Sequence, residues 1–267
     1  VQPGPTIDGQ IVLRGAGRFK SPTGLRSFSY TCNVDLKSSE AVAVMLRDTS
    51  LGIAYVDVAQ FAPALERFNG VRFDYGMRSF FNTIEKLINP FNAPTSIVGV
   101  FHGTVLERVA GAMQSLGYKH GIVVQGSEGA IDVLTSRRTP IIEFSANHNA
   151  DFQFWGVDPN DYDWWDRADG AENPEILLTA AGNAELTLQL LNPIADRSTL
   201  SALQHSALLT AALIVYASGK QTTFDAALTV VEAAYQSGEA AKRLARWQTY
   251  ANDAIHPAAN VEANHAR

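Results

Sequence analysis

Cysteine is almost missing from this chain: Cys32 is the single one in 267 residues. One thiol excludes an internal disulfide and any multi-cysteine metal cluster, suits a reducing compartment, and reads as a small buried hydrophobe rather than a nucleophile. Long apolar runs are missing too. No stretch approaches the roughly 20 residues of a membrane-spanning helix, and residues 1–6 have neither the basic start nor the apolar centre of a secretory signal. The expectation is a cytoplasmic protein with no membrane partner. Positive charge is in short supply, 21 Lys and Arg against 27 Asp and Glu, for a formal charge of −6. Nucleic acids are bound by releasing counterions against lysine and arginine, so an acidic chain is disfavoured as a nucleic-acid binder. The cations present are unevenly placed, with Arg14, Arg18, Lys20 and Arg26 near the start and Arg137 beside Arg138. That leaves local surfaces suited to a phosphorylated small molecule. His102, His120, His148 and His205 lack metal-ligand spacing and read as structural or exposed. Ser127, inside GSEG, lacks the GxSxG pattern of a nucleophile elbow.

What is present is 46% hydrophobic and 18% charged residues, enough for one large core, or a core with a small helical appendage. Residues 11–13 form an apolar run that reads as a strand entering a glycine loop, from Gly15 and Gly17 to Gly24. Ser39 precedes Val42, Met45 and Leu46 at helical spacing, and Gly52 ends that helix before a strand-like alternation over 53–58. Phe80, Ile84 and Leu87 share a helical face stopped by Asn89-Pro90. A β-branched strand over 96–101, an amphipathic helix over 105–116 closed by Gly117, and a strand over 121–125 then make a parallel crossover unit. Such sheets bind ligands at the carboxyl ends of their strands, which points to residues 126–129.

A short strand over 141–144 is followed by a polar and aromatic stretch, 147–173, which reads as an exposed loop although it carries Trp155, Trp164 and Trp165. The remainder is helical over 174–181, 200–218, 223–237 and 238–247, with a polar tail that frays from Asn252 onward. The fold class expected is α/β, a mostly parallel central sheet flanked by helices, in one domain over 1–250 with a tail over 251–267.

Two segments in order, VRFDYGMRSFFNTIEKLINPFNAP and IVGVFHGTVLERVAGAMQSLGYKHGIVVQGSEGAIDV, resemble the core of the anthranilate phosphoribosyltransferase family. That family's pattern is VRxxLGxRTxFNxLGPLxNPA, then GV, a helix, LG, VVxG and GxDE. The likeness extends upstream through CNVDLKSSEAVAVML and LGIAYVDVAQFAPAL and downstream through LLTAALIVYASGKQTTFDAALTVVEAAYQSGEAAKRL, covering most of residues 14–247. It implies the nucleoside phosphorylase/phosphoribosyltransferase catalytic fold, phosphoribosyl pyrophosphate as a ligand, magnesium as cofactor and a homodimer. The family's GTGGD loop has no counterpart here, and the small helical domain that usually forms the dimer interface would lie before Val1.

The same resemblance assigns residues. HGNRxxSSKSG aligns on RGAGRFKSPTG, which makes Arg14, Gly15, Arg18, Ser21 and Thr23 substrate-loop positions, but replaces the family's histidine and asparagine by Arg14 and Ala16. Loss of those polar groups argues against anthranilate as the acceptor. SPT at 21–23 and the EKL sequence look like a divergent branch linked to DNA binding. Arg72 falls on the arginine that pairs with the acceptor carboxylate, and Arg78 and Asn82 on the RTxFN positions. Glu85-Lys86 replaces a Gly-Pro beside the acceptor, putting Lys86 at the substrate. Gly126, which opens the loop at the carboxyl end of the strand over 121–125, is taken as a substrate position. Of the family's Asp-Glu magnesium pair, Asp132 is kept and Val133 stands where the glutamate would, with Glu128 four residues earlier as a substitute carboxylate.

Overall fold

The computed structural model describes residues 2–3, 11–21, 24–34, 45–54, 74, 76, 81–89, 91–145, 151–162, 180–194 and 200–255. The chain divides into two compact units. The first comprises Val1–Met77, Glu175–Asn192 and Gly238–Arg267, and the second Arg78–Pro174 and Pro193–Ser237.

In the first unit, β1 (Gln2–Pro3), β2 (Ile11–Ser21) and β3 (Gly24–Val34) make an antiparallel sheet in that order. β2 and β3 pair continuously from Ile11↔Val34 to Ser21↔Gly24. The segment read as a glycine loop after residue 13 is therefore strand as far as Ser21. The reason lies in its partner: Phe28, Tyr30, Cys32 and Val34 recur with a period of two, and Gly15 and Gly17 fall opposite Tyr30 and Phe28 in the register. Helices α3 (Ala180–Leu190) and α6 (Glu239–Ile255) lie beside β3. α6 runs to Ile255, past the point where fraying was expected, while 256–267 fall outside the described residues. Arg243 on α6 donates from Nη1 to the carbonyls of Thr49 and Leu51, at 3.2 and 3.1 Å, tying it to the turn that follows the helical residues 45–47.

The second unit has a four-stranded sheet ordered β4 (Thr95–Gly99), β5 (His120–Val124), β6 (Thr139–Ser145) and β7 (Gln153–Val157). β4 and β5 are parallel, joined by α2 (Leu106–Ser115) as the crossover pattern requires. α2 ends on Gly117, φ 89°, with Tyr118 N–H donating to Met113 O and Gly117 N–H to Gln114 O, so only a residue at ease in the left-handed region closes this cap. β6 and β7 run antiparallel to their neighbours, so the described sheet is mixed where a mostly parallel one was expected. The connection from β5 to β6 carries only the short helical turn Ser127–Gly129 and no crossover helix, so β6 returns antiparallel. β7 also lies inside the stretch read as an exposed loop, and Trp155 is half-buried within it.

Alternation along these strands fills two cores. Ile122, Val124, Ile141 and Val157 face α4 (Ala202–Ala217) and α5 (Phe224–Gln236), while Val98, Val123, Ile142 and Phe144 face α2. Leu209 and Leu213 of α4 are completely buried, each worth about 1.5–3 kcal/mol of apolar burial. α4 starts with a reciprocal cap: Ser201 N–H donates to Gln204 Oε1 at 2.9 Å, and Gln204 N–H returns a bond to Ser201 Oγ. Among the described residues no helix is long and apolar enough to cross a membrane.

Candidate functional site

Because β4 and β5 are parallel, their carboxyl ends share one edge of the sheet, with Gly99 in register with Val124. The chain leaving β5 turns at once through Gly126–Asp132. A Cβ on Gly126 would lie 2.5 Å from Ala130 O and 2.6 Å from Asp132 O, so glycine is required by the closeness of the loop's own backbone. Ser127 N–H donates to Asp132 O at 3.1 Å and Ala130 N–H to Ser127 O at 2.8 Å. Within this loop Glu128 adopts φ 50° and ψ 23°, a left-handed conformation that costs a non-glycine residue about 1 kcal/mol. Glu128 and Asp132 are both exposed.

Lys86 holds the loop to the strand before it. It lies in the 3-10 turn Glu85–Leu87 that follows α1 (Phe81–Ile84), and its Nζ donates to Gly129 O at 2.6 Å and Gly99 O at 3.0 Å. An ammonium directed at two carbonyls braces the loop; the sequence had assigned it to substrate. Gly99 allows this approach, since a Cβ there would come within 2.3 Å of Ala130 backbone atoms. Val133, at the missing glutamate's position, is completely buried, with its N–H donating to Thr210 Oγ1 at 2.9 Å and its carbonyl accepting from Ser206 Oγ at 2.7 Å. Position 133 thus faces the core while Asp132 faces solvent.

The residues assigned from sequence fall as follows. Asn82, Lys86, Gly126, Glu128 and Asp132 belong to the second unit, and Lys86 is bonded to the loop that carries the last three. Arg14, Gly15, Arg18 and Ser21 lie along β2 of the first unit. Thr23, Arg72 and Arg78 lie outside the described residues, as does His148.

Sequence reading missed a polar cluster on the same sheet. Glu143 of β6 is 7% exposed, yet three side chains donate to it: His120 Nε2 to Oε1 at 2.8 Å, Trp155 Nε1 to Oε2 at 2.9 Å, and the Tyr216 hydroxyl to Oε1 and Oε2 at 3.2 and 3.0 Å. His120 Nδ1 lies 3.0 Å from Ala217 O at the end of α4. Burial alone would raise the Glu143 carboxyl, but the bonds from His120 and Tyr216, the charge of His120 and the bond from Trp155 outweigh it and hold the group below its ordinary value. Burial and the neighbouring carboxylate push Tyr216 up to about 12. The available signal was one glutamate within the apolar strand TPIIEFS. Beside it a cavity of about 270 Å³ is lined by Glu143, Phe154, Trp155, Tyr216, Phe224 and neighbouring threonines. Glu143 lies across from Ile122, inside β5, whereas the glycine loop follows that strand's last residue, so the two features occupy different stretches of the strand.

Fold and loop together define an α/β protein with a braced, acidic glycine loop at the carboxyl ends of parallel strands. The chain belongs to the glycosyl transferase family, a/b domain, whose family model matches residues 27–241. It is 27% identical over 247 residues to an anthranilate phosphoribosyltransferase of Herpetosiphon aurantiacus, covering 88% of this chain and 70% of that protein. Among solved structures it resembles anthranilate phosphoribosyltransferase from Thermus thermophilus at 25% identity and a TM-score of 0.54, covering 71% of this chain and 53% of that one. It also resembles the Saccharomyces cerevisiae enzyme in complex with PRPP and Mg at 16% identity and a TM-score of 0.53, covering 72% and 52%; this second likeness speaks to the fold. The chain spans about half the length of these solved relatives.

Proposed function

We propose that the chain takes part in transfer of a phosphoribosyl group from phosphoribosyl pyrophosphate to an acceptor other than anthranilate. The observation that carries this is the Gly126–Asp132 loop: two exposed carboxylates, Glu128 and Asp132, at the carboxyl ends of parallel strands, on a backbone pinned by Lys86. In that reaction the bond from ribose C1 to the pyrophosphate oxygen breaks with its electron pair leaving on pyrophosphate, and the acceptor forms the new bond at C1. The centre passes through a cation-like state, so positioning and electrostatics supply the acceleration.

Magnesium suits the donor chemistry of this loop, because the ion is commonly held by one or two carboxylates with substrate phosphates and water completing its shell. Asp132 and Glu128 would hold the ion, and when bound it would offset the charge of the leaving diphosphate. Lys86 keeps the loop in shape through the carbonyls of Gly99 and Gly129, and it stays assigned to the substrate side of that loop. The left-handed Glu128 supports the reading, since strained backbone is retained where a loop must present a particular group. Arg72 is assigned to an acidic group of the acceptor, Arg78 and Asn82 to the substrate side of the following helix, and Arg14, Gly15, Arg18, Ser21 and Thr23 to the second substrate segment. Replacement of a histidine and an asparagine by Arg14 and Ala16 supports an acceptor other than anthranilate.

Calorimetric titration with phosphoribosyl pyrophosphate, with and without magnesium, tests this. Binding is expected at millimolar ligand or below, strengthened by magnesium, and weakened at least about tenfold by Asp132→Asn. Absence of heat with either ligand, or turnover of anthranilate at the rate of its other acceptors, overturns the proposal.

A further inference from the structure

The Glu143 cavity is not used by the reading above, and its chemistry is of another kind. The only charged side chain lining it is a carboxylate. Three donors, from His120, Trp155 and Tyr216, reach that carboxylate, and His120 does not itself line the cavity. The Tyr216 hydroxyl bridges both oxygens, so with His120 on Oε1 and Trp155 on Oε2 each oxygen already accepts two bonds, and Glu143 offers the cavity its charge rather than a free acceptor position. Three rings, those of Trp155, Tyr216 and Phe224, stand in the rest of the wall beside Gln153 and two threonines. Trp155 meets Tyr216 at 5.5 Å between centroids with the planes 79° apart, and Phe224 at 6.1 Å with the planes 64° apart. Rings set at such steep angles form a corner rather than a flat stack. Gln153, Thr222 and Thr223, all exposed, complete its rim.

We propose that this cavity is a binding site for a small organic cation, a methylated or primary amine of a few carbon atoms, held by the Trp155, Tyr216 and Phe224 rings with Glu143 as the counter-charge. A cation gains from several ring quadrupoles at once when it is partly desolvated, and a neighbouring carboxylate adds to the attraction. A neutral molecule of the same shape gains only the apolar contact. The volume of about 270 Å³ suits a compact ammonium and is too small for a drug-sized ligand. The ionised state of Glu143 is supported by its lowered pKa. All the lining residues belong to the second unit, and the proposal requires neither a phosphorylated ligand nor a metal.

The test is a titration of the whole chain with tetramethylammonium chloride at constant ionic strength, followed through the indole N–H resonance of Trp155, which is assigned with Trp155→Phe. A saturable shift is expected in the millimolar range, with tert-butanol and sodium chloride giving none. Glu143→Gln is expected to weaken binding at least about tenfold, and so is Phe224→Ala, a change that leaves the Glu143 hydrogen bonds in place and is confirmed as folded by circular dichroism. Absence of a saturable shift up to about 50 mM overturns the proposal. So does an equal response to tert-butanol, or undiminished affinity in folded Phe224→Ala.

Discussion

The backbone amide of Val133 donates to the hydroxyl of Thr210 at 2.9 Å, joining the end of the glycine loop to the middle of α4. Ser206, one turn earlier on that helix, donates to the carbonyl of the same residue at 2.7 Å. Val133 is thereby clamped with its side chain in the core, which decides what a carboxylate at this position could do.

Val133→Glu places an unpaired carboxylate in that core. It should destabilise the protein by at least about 3 kcal/mol, measured as a lower urea midpoint, and should bring no gain in magnesium affinity. A stable Val133→Glu protein that binds magnesium more tightly would show that this position can turn outward.

Lys86→Met removes the ammonium between Gly99 and Gly129. A cost of about 1–2 kcal/mol is expected, with faster hydrogen exchange at the amides of residues 127–132 and little change on α5. Unchanged exchange in the loop would show that the loop keeps its shape without Lys86.

Glu143 should contribute to acid sensitivity. The groups facing it are His120 from β5, Trp155 from β7 and Tyr216 from α4. The folded protein holds its carboxyl below the ordinary value of 4.5, so the stability it contributes is present above that pH and is lost as pH falls through the folded value. Glu143→Gln should be about 2–4 kcal/mol less stable than the native chain at pH 7, and the gap should narrow below pH 4.5. A gap of constant size across a series of denaturation curves from pH 7 to 3 would remove Glu143 from the acid transition.

Local patterns were readable wherever a period ran undisturbed. Residues 105–116 carry a helical spacing closed by a glycine, and α2 and Gly117 follow it within a residue. The strands β4 and β5 and the loop at their carboxyl ends were equally legible, because a parallel crossover announces itself as strand, helix and strand. The hairpin of β2 and β3 was not. Gly15 and Gly17 look like loop residues until Tyr30 and Phe28 are set opposite them, a pairing that local spacing does not specify.

The sequence by itself determined the strand–helix–strand unit of β4, α2 and β5, the glycine loop and its acidic residues Glu128 and Asp132, and the family through the order of its motifs. Tertiary structure alone decided the orientation of Val133, the use of Lys86 as a brace and the convergence of three side chains on Glu143. The physical reason is distance along the chain. Lys86 meets Gly129 across 43 residues, Tyr216 meets Glu143 across 73 and Thr210 meets Val133 across 77. Periodicity records only which face of its own element a residue occupies, while the partner across that face is set by packing the whole unit.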